Sequence, residues 1–329
     1  MPKINPAVFY LALAAVIWGA TVPIMKITLQ EIPIFSLIVL RMTTASIFLF
    51  PFVASKLKID SHGLKAAVLP SSLKIRFTSV LKDGVFSSRI KKEDLKLLFL
   101  AAFFGTNLNL AFFFYGLRYS QAINASVIVA TTPVLTLILA HIYLKEKLSA
   151  KLVAGALLAF LGILTIIGIP VFELKWQAVV GDLALLASAL AWVGHEIFSK
   201  KALKKHPPIV VAFATTVIGA AVFAPLALWE LSTNPGWYSG LSAQGILGLL
   251  YGIFFSSLIA YTVWQIGLSK TTATQASFIF YLLPVFGIIF SIILLKESFS
   301  PILFLGTALV AAGIVLTEYH RKKHPRLSR

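Results

Sequence analysis

Trp192, His195, Glu196 and Ser199 fall at i, i+3, i+4 and i+7, which gathers an indole, an imidazole, a carboxylate and a hydroxyl on one face of an apolar helix. Facing a cavity, Glu196 or His195 is able to take up and release a proton. A second reading stays open, because both lie within a turn or so of Lys200–Lys201 and can snorkel to a polar boundary. Ser257, Tyr261, Trp264 and Gln265 form another polar-aromatic face at i, i+4, i+7 and i+8, and Ser277, Tyr281 and Pro284 lie close to one face further on. Asn107 and Asn109 sit between Phe103–Phe104 and Phe112–Phe114. Aromatic faces with a few donors suit an amphipathic organic solute better than an ion. The same residue types also glue helices together and anchor them at interfaces. Arg41 is able to bind an anion, but the structural role is the one expected of it, capping carbonyls or pairing with Glu230 or Asp182.

Motifs for bond chemistry are missing. The chain has no HExxH, no GxSxG and no GxxxxGK[ST]. It has no cysteine, which removes thiolate metal sites and disulfides. The expectation is therefore no catalytic residue, no cofactor and no metal.

The elements that carry these residues are set by composition. Of 329 residues, 58% are hydrophobic and 12% charged, against about 25% charged in an ordinary soluble domain. The class is a polytopic membrane protein. Ten apolar segments are long enough to span a bilayer as helices, near 6–26, 33–53, 95–115, 122–144, 151–169, 180–200, 208–229, 244–266, 276–295 and 301–318. The first, with Trp18, Gly19 and Pro23, reads as an uncleaved span.

The chain is also duplicated. Gly116–Leu117, Pro133, Lys145–Glu146, Gly155 and Gly162 return 151 residues later as Gly267–Leu268, Pro284, Lys296–Glu297, Gly306 and Gly313. Trp18 in the first span aligns with Trp192 in the sixth, and the change of offset is absorbed by a polar loop at 54–94. That loop reads either as an amphipathic segment on the membrane surface or as a linker. The fold class is thus all-α, with ten transmembrane helices as two five-helix repeats, 1–170 and 171–329. Five is odd, so the second repeat enters the membrane inverted. Placing both termini in the cytoplasm puts 24 of the 29 Lys and Arg residues on the inner side. The net charge of +17 is then topology and attraction to anionic membrane lipid, not a nucleic-acid groove. Pro133 and Pro284 interrupt equivalent spans, and paired interruptions point to a transport pathway.

These residues resemble the EamA-like branch of the drug/metabolite transporter superfamily. The resemblance is carried by Trp18–Gly19 with Lys26, Leu40–Arg41, Gly116–Leu117–Arg118–Tyr119, Ala122 and Ala125, Pro133 and Leu144–Lys145–Glu146–Lys147, then by Gly267–Leu268, Ala273 and Ala276, Pro284, Leu295–Lys296–Glu297, Gly306 and Gly313. It implies export or exchange of small organic solutes, amino acids and related metabolites being frequent cargo. It also implies a central cavity formed mainly by spans 1, 3, 4, 6, 8 and 9. The long loop after span 2 and the His195–Glu196 pair depart from the family pattern and leave substrate and coupling open. Candidate cavity residues are Trp18, Asn107, Asn109, Pro133, Trp192, His195, Glu196, Ser257, Tyr261, Trp264, Gln265, Tyr281 and Pro284. The expected partners are a small-molecule substrate and membrane lipid. The rival readings are a nucleotide-sugar or sugar-phosphate carrier and a non-transporting sensor or assembly protein.

Overall fold

The computed structural model describes residues 6–57, 92–120, 128–167, 176–295 and 302–323. Most of the 54–94 loop, Ala122 and Ala125, Lys296–Glu297 and the end of the basic tail lie outside the described residues. Among those described, every regular element is helical. α1 spans Pro6–Thr28 and α2 spans Ile34–Leu57. α3 begins as Lys92–Ala102, widens into a π-helical stretch at Phe103–Leu108 and resumes as Asn109–Tyr119. Then come α4 (Thr132–Leu144), α5 (Ala150–Ile167), α6 (Trp176–Ala202) and α7 (Pro208–Thr233). α8 repeats the design of α3, with Ala243–Tyr251, a π-helical stretch Gly252–Ala260, and Tyr261–Ser269. α9 comes in two pieces, Ala273–Ile279 and Leu282–Leu295, and α10 is Ile302–Lys323.

Six of these, carried by α1, α2, α3, α6, α7 and α8, are long and apolar enough to cross a membrane, and the apolar parts of α4, α5, α9 and α10 are shorter. The surface is apolar where a soluble protein would be polar: Leu228 and Leu247 are 66% and 65% exposed. Arg41, His195, Glu196 and Gln265 are meanwhile buried. Water would penalise that arrangement and hydrocarbon favours it. The architecture is that of a polytopic membrane protein.

Helices pair closely where side chains are smallest. A Cβ at Gly162 would lie 2.7 Å from the Gly306 carbonyl oxygen, and one at Gly313 would lie 2.6 Å from that of Gly155. Glycine there lets the backbones of α5 and α10 touch. Elsewhere α2 packs on α7, α3 on α6 and α1 on α9.

The two prolines break helices instead of only kinking them. Residues 280–281 form a turn ahead of Pro284, and residues 130–131 form one ahead of Pro133, which sits in the first turn of α4. A proline has no amide hydrogen and its ring crowds the carbonyl four residues back, so the preceding turn cannot continue the helix.

Candidate functional site

A cavity of about 120 Å³ lies between the helices. That is several times the roughly 10–15 Å³ that one water needs on the same measure. Its wall comes from Trp18, Thr21 and Val22 of α1, Arg41 and Met42 of α2, and Gly105, Asn109, Leu110, Phe113 and Phe114 of α3. Val129 and Thr132 at the α4 break, Ser188, Ala189 and Trp192 of α6, Ser256, Ser257 and Tyr261 of α8, and Phe280 and Leu283 at the α9 break complete it. Five residues singled out in the sequence, Trp18, Asn109, Trp192, Ser257 and Tyr261, are therefore in the wall. Pro133 and Pro284 are each next in sequence to a wall residue, Thr132 and Leu283.

One end of the cavity is floored by rings. Trp18 meets Trp192 edge-on at 5.3 Å and Trp264 at 5.4 Å, while Phe280 sits 5.2 Å from Trp192 and 5.4 Å from Trp264. These edge and tilted contacts are the arrangements aromatic quadrupoles favour. Trp18 Nε1 donates to the Ser256 carbonyl at 3.1 Å, fixing its ring against the π-helical stretch of α8. Trp264 is fully buried behind the floor. Beyond it, α4 ends at Lys145 in a left-handed conformation (φ 61°). This turn delivers the Glu146 carboxylate to the start of α9, where it accepts from the amides of Ala273 (2.8 Å) and Thr274 (3.1 Å). Lys200 Nζ donates to the carbonyls of Leu268 and Thr271 at the end of α8. An anion at a helix start and a cation at a helix end both match the helix dipole.

His195 and Glu196 lie inside the bundle with no exposed surface, so the alternative in which they snorkel to a boundary does not fit. His195 Nδ1 is 2.8 Å from the Ala101 carbonyl. A carbonyl only accepts, so Nδ1 carries the hydrogen and Nε2 is the acceptor. Tyr261 Oη and Gln265 Nε2, each 3.1 Å away, donate to it. The ring thus ties α6 to α3 and α8. It fits only because residue 105 is glycine: a Cβ there would stand 2.2 Å from His195 Nδ1. Glu196 Oε2 accepts from Thr136 Oγ1 of α4 at 2.7 Å. Its Oε1 and Trp192 Nε1 meet no partner within strict hydrogen-bond geometry, and the two side chains, one turn apart on α6, interact with each other.

Several candidates sit behind the wall. Asn107 donates to the Gly219 carbonyl of α7 at 3.4 Å, whereas Asn109 donates to the backbone and hydroxyl oxygens of Ser188 on α6. Gln265 Nε2 is engaged with His195, and its Oε1 meets no hydrogen-bond partner. Tyr281 turns away from the cavity and donates to the Ala156 carbonyl of α5 at 3.0 Å. The reason is the break at 280–281, which ends the helical register relating it to Ser277 and gives the wall position to Phe280.

Arg41 differs from its expected pairing. Glu230 instead accepts from the amides of Phe35 (3.0 Å) and Ser36 (2.7 Å) at the start of α2, and Asp182 accepts from Ser120 Oγ. The guanidinium of Arg41 reaches the cavity wall and donates to Ser257 Oγ (3.2 Å), Ser256 Oγ (3.0 Å) and Met25 Sδ (3.5 Å). By its sequence context alone Arg41 falls outside the candidate cavity residues.

Helices with apolar flanks around an internal cavity of aromatic and polar side chains define an integral membrane protein. The profile of the EamA-like transporter family matches residues 5–168 and again 179–319, and the chain belongs to that family. It is similar to the uncharacterized transporter YyaM of Bacillus subtilis (strain 168), with 28% identity over 272 residues, 79% of this chain and 85% of that protein. It is also similar to a protein of Escherichia coli (strain K12) named a probable amino-acid metabolite efflux pump, with 24% identity over 269 residues, 80% of this chain and 89% of that one. A solved crystal structure superposes with a TM-score of 0.71 over 97% of this chain and 99% of its own. Its identity of 18% makes this a likeness of fold alone. These names indicate transporters and not enzymes.

Proposed function

We propose that the chain is a secondary transporter that moves small amphipathic organic solutes across the cell membrane by alternating access, exporting amino acids or related metabolites. The observation that carries this is an internal cavity at the level where α4 and α9, equivalent in the duplicated sequence, are both interrupted. In this reading residues 1–170 and 171–329 are inverted five-helix repeats with both termini cytoplasmic. Two features support it. Exchanging each helix for the one five places on carries the contacts onto one another: α1 with α9 becomes α6 with α4, α3 with α6 becomes α8 with α1, and the pairs α2–α7 and α5–α10 map onto themselves. A shift of 151 residues also carries Phe103–Leu108 onto 254–259, inside the π-helical stretch Gly252–Ala260.

The ring floor and the Glu146 contact then close the cavity on its lysine-rich, cytoplasmic side. Rocking of α4 and α9 about their breaks would open it there and close the far side. Cargo in the amino-acid class is supported by the name of the efflux-pump relative. A phosphate-bearing cargo is less favoured, since Arg41 is the one cation among the described wall residues and phosphate recognition calls for more. Glu196, buried beside the α4 break, is the candidate proton carrier. The test is solute uptake by proteoliposomes with and without a pH gradient. Gradient-dependent flux is expected, and Glu196→Gln is expected to abolish the dependence. Gradient dependence that survives the substitution removes Glu196 from coupling. No flux for any metabolite removes the transport reading in favour of a sensor or assembly role.

A further inference from the structure

The cavity wall holds one formal charge among its described residues, and that charge is positive. Arg41 is 3% exposed, and a guanidinium stays protonated in proteins. A buried charge is costly unless paired. Each carboxylate whose side chain is described is engaged elsewhere: Glu31 with Ser242, Asp94 with Lys205, Glu146 with the start of α9, Asp182 with Ser120, Glu196 with Thr136 and Glu230 with the start of α2. Of the five N–H donors of a guanidinium, three meet acceptors, two hydroxyls and a thioether, and none of these carries a negative charge.

The site is also shaped to hold this side chain in place. Gly252 leaves the slot its stem occupies, since a Cβ there would stand 2.9 Å from Arg41 Cδ. Ser256 and Ser257 then fix the fork, and the Phe114 ring lies 6.0 Å from the guanidinium carbon. An arginine held this way, facing a space lined by aromatic rings such as Trp18, Phe113, Trp192 and Phe280 together with aliphatic side chains and a few hydroxyls, is built for a planar anion that two N–H groups can grip together.

We propose that the cavity takes a small organic carboxylate with an aromatic or similarly apolar body, its anionic group seated on Arg41. This rests on the cavity being the solute site of the transporter proposed above, and it narrows the cargo from amphipathic solutes in general to those that carry a carboxylate beside an apolar body. The test uses purified full-length protein in detergent and three probes of one shape, phenylacetate, phenylacetamide and phenethylamine, titrated by calorimetry. Phenylacetate is expected to bind about tenfold or more tightly than the amide, and the amine more weakly still. In Arg41→Gln the acid is expected to fall to the level of the amide while amide binding persists, which also reports that the cavity is intact. Should that variant not fold, the comparison in the unaltered protein still decides. Equal binding of acid and amide, stronger binding of the amine, absence of acid binding, or an acid preference that survives Arg41→Gln each overturns the proposal. Acid-selective binding without flux in proteoliposomes would leave this assignment standing and remove transport. Flux of solutes regardless of charge would do the reverse.

Discussion

Gly105→Ala is the sharpest single perturbation of the cavity wall. The new methyl would stand 2.2 Å from His195 Nδ1 and 2.8 Å from Tyr261 Oη, where ordinary contact begins at 3.4 Å. The imidazole must retreat by more than 1 Å, which breaks its 2.8 Å bond to the Ala101 carbonyl. Overpacking costs about 1–3 kcal/mol, and leaving buried polar partners unmatched adds about 1–3 kcal/mol. A total of about 2–6 kcal/mol should lower the thermal midpoint of the detergent-purified protein by roughly 5 °C or more. The double variant Gly105→Ala with His195→Ala isolates the clash. Its loss should be smaller than the sum of the single losses by at least about 1 kcal/mol, because the ring that the methyl strikes is gone. A Gly105→Ala protein that melts with the unaltered one, or strictly additive losses, would refute the packing of α3 on α6 through this glycine.

Two further outcomes follow from other contacts. Gly313→Leu should separate α10 from α5, since even a Cβ would lie 2.6 Å from the Gly155 carbonyl oxygen; a loss of about 1–3 kcal/mol is expected, read as lower thermal stability, and an unchanged midpoint would contradict the close pairing. Glu31, outside the spans, accepts from the hydroxyl and amide of Ser242, which hold its carboxyl below the ordinary value of 4.5. The folded form therefore prefers the ionised group, so its stabilisation is present above pH 4.5 and is lost as the pH falls through the folded value; the stability gap between the unaltered protein and Glu31→Gln should close on acidification, and a gap that widens would reverse the sign of the argument.

Much of the fold is legible in the chain because bilayer thickness imposes a length on apolar runs. The expected segment 208–229 lies within Pro208–Thr233, and 244–266 lies within Ala243–Ser269. What hydropathy does not carry is helix type. Phe103–Leu108 and Gly252–Ala260 are as apolar as their neighbours, and nothing in their composition marks the π-helical widening. The widening shows in the backbone, where the Asn109 amide reaches back five residues to the Phe104 carbonyl. The candidate cavity wall is legible by face but not by neighbour. Periodicity grouped Tyr261, Trp264 and Gln265 on α8, yet only packing decides that Tyr261 lines the cavity while Gln265 spends its amide on His195. Tyr281 leaves the face that helical register gives it, because the break at 280–281 that Pro284 signals ends that register. Arg41 carried a signal that was available, a lone cation well inside an apolar run. The possible partners Glu230 and Asp182 obscured it, and their engagement at helix ends is visible only in three dimensions.

The claim that the cavity alternates between the two sides of the membrane is tested most directly by accessibility. The chain has no cysteine, so Thr21→Cys places one thiol in the cavity wall. Membrane-impermeant maleimide would be applied separately to each face of vesicles in which the protein has a known orientation. Labelling from both faces, slowed from both by a bound solute, is the expected result. Labelling from one face only, whatever solute or gradient is present, would contradict alternating access.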